Sequence, residues 1–290
     1  MTTSIAHLGP PGTYAEQATV FYANWLVNKT GIETVLCPYP SIAQSLQAVA
    51  QEQTQLAVVP VENSIEGSVT MTMDTLWQLE SLRIQLALVM PIAHTLISYA
   101  TDLDGIKTVY SHPQALAQCQ GWLEMFLPSV QLIPTNSTTE SLQQLESNRT
   151  AAVIASSRAA QLYNLPILAN GINDYPENCT RFWVVSKADA DTNYYISSAG
   201  ASHTSIAFSV PKNVPGALLK PLQVFAQLGI NLSRIESRPT KRSLGEYLFF
   251  VDLESDVATP QMKSALADLS SYTEILKIFG AYNVLSISPL

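Results

Sequence analysis

The sequence is poor in charge and in cysteine and has no long apolar run, and each shortage argues against a class of protein. Charged residues make up 13% of the 290 positions and the net charge is −8, which argues against a nucleic-acid-binding surface with clustered Lys and Arg. No window reaches 18 uninterrupted apolar residues, so no membrane-spanning helix is predicted. The first seven residues lack the basic start and apolar core of a signal peptide, and we expect a cytoplasmic protein.

Side chains that bind metals are few and scattered. The three cysteines stand at positions 37, 119 and 179, and the four histidines at positions 7, 94, 112 and 203. An odd number of widely spaced cysteines does not suggest a disulfide framework, and neither set has the spacing of metal ligands. The sequence therefore predicts neither a metal site nor a disulfide framework.

Basic residues are scarce in the first 201 positions, which hold seven Lys or Arg against sixteen Asp or Glu. Positions 202–290 carry eight basic and seven acidic residues, so the whole negative excess lies in the first part. The small and polar stretch 189–202 separates the two parts and reads as a linker. We predict two domains, with a boundary near 190–203.

Strand and helix signals alternate through the first domain. Apolar stretches that favour strands occur at 4–8, 56–61, 86–90, 107–110 and 151–155. Helices are expected after Thr13, Ser41, Ser111 and Ser156, because each of these residues can cap a helix N-terminus. This alternation predicts an α/β domain with buried, mostly parallel strands.

Three polar loops follow predicted strands, at 9–13, 62–68 and 111–114. Ligands of open α/β sheets bind beyond the carboxyl ends of the strands, so we expect these loops to meet at one rim. Free N–H groups at helix N-termini suit such a rim for an anion. Each loop also has a purely structural interpretation, as a tight turn, a capped turn or a helix cap.

The segment 178–185, Asn-Cys-Thr-Arg-Phe-Trp-Val-Val, places a hydroxyl and a guanidinium side by side before a predicted strand. Arg181 is the one basic residue of the first 201 that has polar functional side chains on one side and a core strand on the other. An arginine in this position is more commonly a surface salt-bridge partner than an anion ligand. The interpretation of this segment as part of a ligand site depends on the three polar loops described above.

Four motifs together resemble those of prephenate dehydratases. They are Gly9-Pro-Pro-Gly-Thr-Tyr-Ala-Glu-Gln-Ala18, Val59-Pro-Val-Glu-Asn-Ser-Ile-Glu-Gly-Ser-Val69, Ser111-His-Pro-Gln-Ala-Leu-Ala-Gln-Cys119 and Asn178-Cys-Thr-Arg-Phe182. The motifs come in the family's order; one departure is Ala15, where Ser or Thr is usual. The resemblance implies a two-lobed, periplasmic-binding-protein-like catalytic domain with a cleft over residues 1–190, its second lobe at about 85–170.

Residues 203–290 resemble the regulatory ACT domain of the same enzymes, a ferredoxin-like βαββαβ fold. Predicted strands at 204–210, 230–239 and 246–252 and helices from about 215 and over 260–269 give the first five elements of this order from the residues themselves. The strand at 230–239 carries the family's Glu-Ser-Arg-Pro motif. Pro221 departs from the family, and we expect it to kink or shorten the first helix.

The resemblance implies a lyase that converts prephenate to phenylpyruvate with loss of CO2 and water. Aromatisation of the ring drives the reaction, so no metal or organic cofactor is expected. Departure of hydroxide needs a hydrogen-bond donor, and Thr180 is the predicted one. The resemblance further implies catalytic roles for Asn63, Ser111 and Gln118. Arg181 is expected to bind the side-chain carboxylate, and the remaining predicted substrate-binding residues are Gly12, Thr13, Glu62, Ser64, His112 and Phe182.

For the C-terminal domain the resemblance implies binding of phenylalanine as an allosteric effector, within a homodimer or homotetramer. The residues implied are Asn213, Gly216, Ala217, Leu218, Glu236, Ser237 and Arg238. Two alternatives stay open: an arogenate dehydratase, which acts on the amino analogue of prephenate, and a non-catalytic sensor of small anions and amino acids.

Overall fold

A computed structural model describes residues 2–136, 140–188 and 200–287. The strands in these ranges are β1 (Thr2–Leu8), β2 (Glu33–Tyr39), β3 (Leu56–Asn63), β4 (Gly67–Ser68), β5 (Leu82–Pro91), β6 (His94–Ser98), β7 (Thr108–Ser111), β8 (Gln131–Pro134), β9 (Ala151–Ser156), β10 (Ile167–Asn170), β11 (Cys179–Lys187), β12 (His203–Ser209), β13 (Leu232–Pro239), β14 (Tyr247–Leu253) and β15 (Ile275–Ser286). The α-helices are α1 (Tyr14–Thr30), α2 (Ile42–Ala50), α3 (Thr70–Gln78), α4 (Pro113–Ala117), α5 (Gln120–Phe126), α6 (Gln144–Ser147), α7 (Ser157–Leu162), α8 (Leu219–Gln227) and α9 (Pro260–Ser270). Across the described ranges no helix combines the length and the apolar character needed to cross a membrane.

Two sheets divide the molecule. The first has the order β13-β14-β12-β15-β5-β11-β3-β1-β2, with β4 paired to β3, and the second has the order β10-β6-β9-β7-β8. We call β1–β5 and β11 with α1–α3 lobe 1, β6–β10 with α4–α7 lobe 2, and β12–β15 with α8 and α9 the C-terminal unit. The chain crosses between the lobes after β5 and again before β11, so the predicted two-lobed α/β architecture is confirmed. The predicted linker lies largely outside the described residues.

The expectation of mostly parallel strands is only partly correct. Strand β1 is parallel to β2 and β3, and β7 is parallel to β8 and β9, but β11 is antiparallel to both β3 and β5. Strand β11 comes directly from lobe 2 with no crossover helix before it. It therefore enters the sheet at the end where β3 leaves, and Thr180 lies opposite Asn63.

Capping side chains begin the helices largely as predicted. Thr13, Ser41 and Ser156 are the N-caps of α1, α2 and α7, and each side chain accepts a backbone N–H from the first turn. The cap of α4 is His112 rather than Ser111, because Pro113 occupies the first helical position and the strand extends through Ser111. The three helix starts α1, α4 and α7 border the gap between the lobes.

The C-terminal unit has the predicted order βαββαβ, with α8 and α9 on one face of its sheet. Helix α8 begins at Leu219, however, and not near 215, where the chain forms a turn. Pro221 lies in the first turn of the helix, in which the missing N–H would have no intrahelical acceptor. The expected shortening is therefore confirmed, and a kink is not needed.

The other face of the C-terminal sheet packs on lobe 1. Trp183 of β11 is buried in one cluster with residues of the C-terminal unit, among them Phe250, Phe279 and Tyr282. Its neighbour Phe182 lies in a separate cluster with α1 residues, because successive side chains of a strand point to opposite faces. Strand β11 is thus a partition with α1 on one side and the C-terminal unit on the other.

Gly280 permits the close contact between β15 and β5. Its φ is +152°, and a Cβ added there would lie 2.3 Å from the carbonyl oxygen of Ile84. We expect Gly280→Ala to lower the free energy of unfolding by roughly 2–4 kcal/mol, from an overpacking cost of about 1–3 kcal/mol and backbone strain of at least about 1 kcal/mol. Urea unfolding followed by tryptophan fluorescence measures the change.

Gly31→Ala is the matched control for this prediction. Gly31 also has a positive φ, +72°, but nothing lies within 4 Å of an added Cβ. This change carries the backbone cost alone, roughly 1–2 kcal/mol. Equal effects of the two substitutions would contradict the steric explanation.

Candidate active site

A cavity of about 520 Å³ lies between the lobes. Its lining comes from the loops after β1 and β7, from the end of β3 and from the start of β11, so residues of all three predicted loops meet at one rim. Six of the predicted site residues line it: Thr13, Asn63, His112, Gln118, Thr180 and Phe182.

The orientation of the Asn63 side chain is determined by its neighbours. Its Oδ1 accepts the backbone N–H groups of Ile65 and Glu66, each at 3.0 Å, so the other end of the amide is the NH2 group. Nδ2 donates to Thr180 Oγ1 at 2.9 Å and to Asn178 Oδ1 at 2.8 Å. Thr180 Oγ1 is therefore an acceptor in this contact, and its own O–H hydrogen remains to be donated into the cavity.

The side-chain amides of Asn63, Asn178 and Gln118 are linked by hydrogen bonds, and we call them the amide chain. This chain crosses the gap between the lobes. Asn178 Nδ2 donates to Gln118 Oε1 at 3.0 Å, and Gln118 Nε2 donates to Glu66 Oε1 at 3.2 Å. Gln118 is 4% exposed and Asn178 1%, so the bond between these two amides is shielded from water, whereas Glu66 is exposed. If a buried amide rotated by 180°, its NH2 group would face the NH2 group of its neighbour and the hydrogen bond would be lost. The observed orientation of these amides is therefore strongly favoured.

The cavity is almost free of formal charge. Among the described residues that line it, none is Lys, Arg, Asp or Glu, and the titratable side chains are Tyr14, His94 and His112. Burial lowers the pKa of His94 below its usual 6.5, although the hydrogen bond between its ring and Gln118 Oε1 opposes the shift, and burial raises the pKa of Tyr14. No group of His, Cys, Asp or Glu suited to a metal ion occurs within the described ranges.

The predicted substrate contacts of Arg181 and Glu62 are corrected by the structure. Both side chains point to the face of the sheet opposite the cavity, because each directly adjoins a residue that faces it in the strand. Arg181 Nη1 lies 3.2 Å from Asp252 Oδ2 of the C-terminal unit, and Arg181 Nη2 lies 3.4 Å from Glu62 Oε2. Arg234 Nη1 also lies 3.2 Å from Asp252 Oδ2. Arg181 is thus part of an interdomain ion cluster, and the salt-bridge interpretation was the correct one, although Asp252 is buried.

Three further predicted residues use their polar groups in hydrogen bonds to other parts of the protein. Ser111 is fully buried, and its hydroxyl donates to the carbonyl oxygen of Ile154 at 2.6 Å. The Ser64 hydroxyl donates to Asn178 Oδ1 at 3.3 Å, and it accepts the N–H of Cys179 at 3.0 Å. The N–H of Gly12 donates to a carboxylate oxygen of Glu16, and its carbonyl accepts from Ser156. These three residues shape the rim without lining the cavity.

The predicted effector contacts of Glu236 and Arg238 are also corrected. Glu236 Oε2 accepts from the Ser68 hydroxyl at 3.0 Å, and Arg238 forms two bonds of 3.1 Å to the Asp74 carboxylate. Alternate side chains of β13 face lobe 1, which places both residues against it.

The other predicted effector residues lie elsewhere on the C-terminal unit. Asn213 lines a second cavity of about 420 Å³, which also includes Lys212 and Arg242. Ser237 is exposed on β13, and the remaining three residues form the turn before α8, at positions 216–218.

Sequence reasoning missed three residues of the site. Tyr14 stands within a quoted motif and Asn178 opens another, yet neither was assigned a role. His94 follows an apolar run and was set aside because the histidines lack ligand spacing. The available signal was a polar side chain at the start of a helix or strand, as for Tyr14 in α1 and His94 in β6, or just before one, as for Asn178. Such a signal becomes specific only when the partners of the side chain are known.

Comparisons with known proteins agree with the motifs. The family model of prephenate dehydratase matches residues 5–190 and that of the ACT domain matches residues 204–271. A bifunctional chorismate mutase/prephenate dehydratase of Aquifex aeolicus is 39% identical over 96% of this chain and 73% of its own. A prephenate dehydratase of Methanocaldococcus jannaschii is 36% identical over 98% of this chain and 99% of its own.

The fold agrees as well. The crystal structure of a prephenate dehydratase from Arthrobacter aurescens in complex with L-Phe superposes with a TM-score of 0.82 at 32% identity, covering 98% of this chain and 90% of that one. Family model, relatives and fold thus coincide over nearly the whole length. The chain therefore belongs to the prephenate dehydratase family, a family of lyases, and carries the family's C-terminal ACT domain.

Proposed function

We propose that the interlobe cavity converts prephenate to phenylpyruvate, with Thr180 as the donor to the departing hydroxyl. The observation that carries this is the direction of the hydrogen bonds at Thr180. Because Asn63 donates to Thr180 Oγ1, and Thr180 lines the cavity, the threonine O–H is available as a donor to a bound substrate. A donor placed before the reaction begins stabilises the charge that develops on the leaving oxygen.

In the reaction the bond between the ring and its carboxylate breaks and CO2 leaves. The electron pair of that bond moves into the ring, and the C–O bond at the opposite ring carbon breaks as hydroxide departs. The hydroxide takes up one proton to leave as water, and the ring becomes aromatic. Thr180 supplies a hydrogen bond to the departing oxygen and is not ionised, because a threonine hydroxyl is far too weak an acid.

Binding of the dianion is supported by helix α1 rather than by a lysine or arginine. Tyr14 and Ala15 line the cavity in the first turn of this helix, where backbone N–H groups have no intrahelical acceptor. These backbone N–H groups are suited to bind the side-chain carboxylate of prephenate. The ring carboxylate would lie against apolar residues such as Ile92 and Phe182, and poor solvation there favours its loss as CO2.

The uncharged lining favours prephenate over arogenate. Arogenate carries an ammonium where prephenate has a keto group, and a buried ammonium needs a carboxylate partner. The described lining residues offer no carboxylate. Neutral donors, by contrast, suffice for a keto oxygen.

We expect the purified protein to release phenylpyruvate from prephenate and to turn over arogenate at a much lower kcat/KM. Incubation with each substrate, with phenylpyruvate and phenylalanine quantified separately, measures both rates. Faster turnover of arogenate would reverse the substrate assignment. No product from either would favour the sensor alternative.

Regulation by phenylalanine at the ACT domain is the second part of the proposal. It is supported by the relative crystallised with L-Phe and by the ion cluster that joins β14 and β13 to β11 and β3. Arg181 and Glu62 directly adjoin Thr180 and Asn63, so displacement of the C-terminal sheet would reach the cavity through two strands. Adding phenylalanine to the prephenate assay tests for the effect.

We also propose a homo-oligomer and a cytoplasmic setting. Strand β13 is an edge of the first sheet, and Ile235 on it is 42% exposed, which supports pairing with a second copy. All three cysteines are free thiols, as is usual in a reducing compartment.

A further inference from the structure

His94 touches the catalytic amide chain although it lies outside every predicted site. It is the first residue of β6 in lobe 2 and is 3% exposed. Its Nε2 lies 2.9 Å from Gln118 Oε1, and its Nδ1 lies 2.8 Å from the hydroxyl of Tyr14, in lobe 1. Both ring nitrogens are therefore occupied by neighbours inside the cleft.

The neighbours decide which nitrogen carries the proton. Gln118 Oε1 is the oxygen end of its amide, because Asn178 donates to it while Gln118 Nε2 donates to Glu66. Nε2 of His94 must therefore be the protonated nitrogen and donate to that oxygen. Burial favours the neutral ring, so Nδ1 is an acceptor. The Tyr14 hydroxyl lies 2.8 Å from this nitrogen and 3.0 Å from the carbonyl oxygen of Ala93, and its one hydrogen is shared between these two acceptors.

We propose that His94 is a positioning residue for the dehydration, with Gln118 selecting its tautomer and Tyr14 contacting its other ring nitrogen. His94 is a second donor to Gln118 Oε1, and it thereby holds Gln118, Asn178 and Asn63 in the orientation that leaves the Thr180 proton free. If Gln118 turned over, its NH2 group would face two donors at once. The inference rests on the proposed function, since it assigns the reaction to Thr180.

The Tyr14 contact also links this positioning to the closed cleft. Tyr14 belongs to lobe 1 and His94 to lobe 2, so their bond exists only while the lobes are together. Two other bonds join the same lobes nearby, from the Ser156 hydroxyl to the carbonyl of Gly12 and between Arg158 and Glu16. Neither of these involves the amide chain, which itself crosses between the lobes through the bond from Gln118 to Glu66. The histidine adds a second link between closure and the alignment of Thr180.

Two substitutions of His94 separate positioning from packing. The amide nitrogen of glutamine reaches the place of Nε2, whereas the side chain of asparagine reaches only the place of Nδ1. We expect His94→Asn to lower kcat about 10- to 100-fold with KM changed less than about twofold, the size of an effect from misplaced catalytic groups. His94→Gln is expected to retain kcat within about fivefold.

A double-mutant cycle completes the test. In the Thr180→Val background no hydroxyl remains to be aligned, so adding His94→Asn should lower the residual rate by less than about twofold. Equal losses of kcat in His94→Asn and His94→Gln, or fully multiplicative losses in the double variant, would overturn the inference. Wild-type turnover of prephenate is measured in the same series. Its absence would refute the proposed function, whereas normal turnover with an unaffected His94→Asn variant would refute only the role of His94.

Discussion

Thr180→Val is expected to lower kcat for prephenate by about 10²- to 10³-fold, the usual effect of removing one transition-state donor. Valine keeps the shape of threonine and removes only the hydroxyl, so KM should change little. The fold should survive, because Asn63 Nδ2 still donates to Asn178 Oδ1 and also lies 3.2 Å from the carbonyl oxygen of Cys179. Steady-state kinetics of phenylpyruvate formation measures both constants.

Thr180→Ser is the matched control, because serine restores the hydroxyl and loses only a methyl group. It should retain kcat within about tenfold, the loss reflecting the freer rotation of serine. A valine variant with near wild-type kcat would show that Thr180 does not assist the leaving hydroxyl. Equal losses in valine and serine would instead point to packing.

Asp252→Ala is expected to lower the free energy of unfolding by roughly 3–5 kcal/mol, the usual effect of removing one member of a buried ion pair. Asp252 is 1% exposed and lies between Arg181 and Arg234, which has a side-chain exposure of 5%. Its Oδ1 also accepts from the Ser205 hydroxyl at 2.5 Å. Removal of this carboxylate leaves two guanidinium groups with only Glu62 nearby. Urea unfolding followed by circular dichroism and by tryptophan fluorescence measures the change.

Glu246→Ala serves as the control for the loss of a carboxylate that is paired but exposed. Glu246 lies 3.3 Å from Arg242, and both side chains are about half exposed. Water replaces such a contact, so the unfolding midpoint should hardly move. An Asp252→Ala variant as stable as Glu246→Ala would show that the ion cluster does not hold the C-terminal unit on lobe 1.

Two opposite faces of one pair of strands organise this protein. On β3 and β11, Asn63 and Thr180 face the cavity, while Glu62 and Arg181 face the C-terminal unit. Thr180→Val tests the face toward the cavity, and Asp252→Ala tests the face toward the C-terminal unit.

Much of the fold was predictable from local sequence patterns. Thr13, Ser41 and Ser156 cap helices as expected, and the first five elements of the βαββαβ order follow from local patterns, because both depend on contacts within a few residues. The late start of α8 was also predictable from a local rule, because Pro221 is tolerated only in the first turn of a helix. The direction of β11 was not predictable, because it depends on a return from lobe 2.

By itself the sequence determined which loops end at the cleft and that Asn63, Gln118 and Thr180 belong to it. Only the tertiary structure decided that Arg181 faces Asp252, 71 positions away, and that Tyr14 meets His94 across 80 positions. The physical reason is that a side chain's partner is chosen by the surface opposite it. For Arg181 that surface is the C-terminal unit, and for His94 it is the other lobe, and neither is adjacent in the chain.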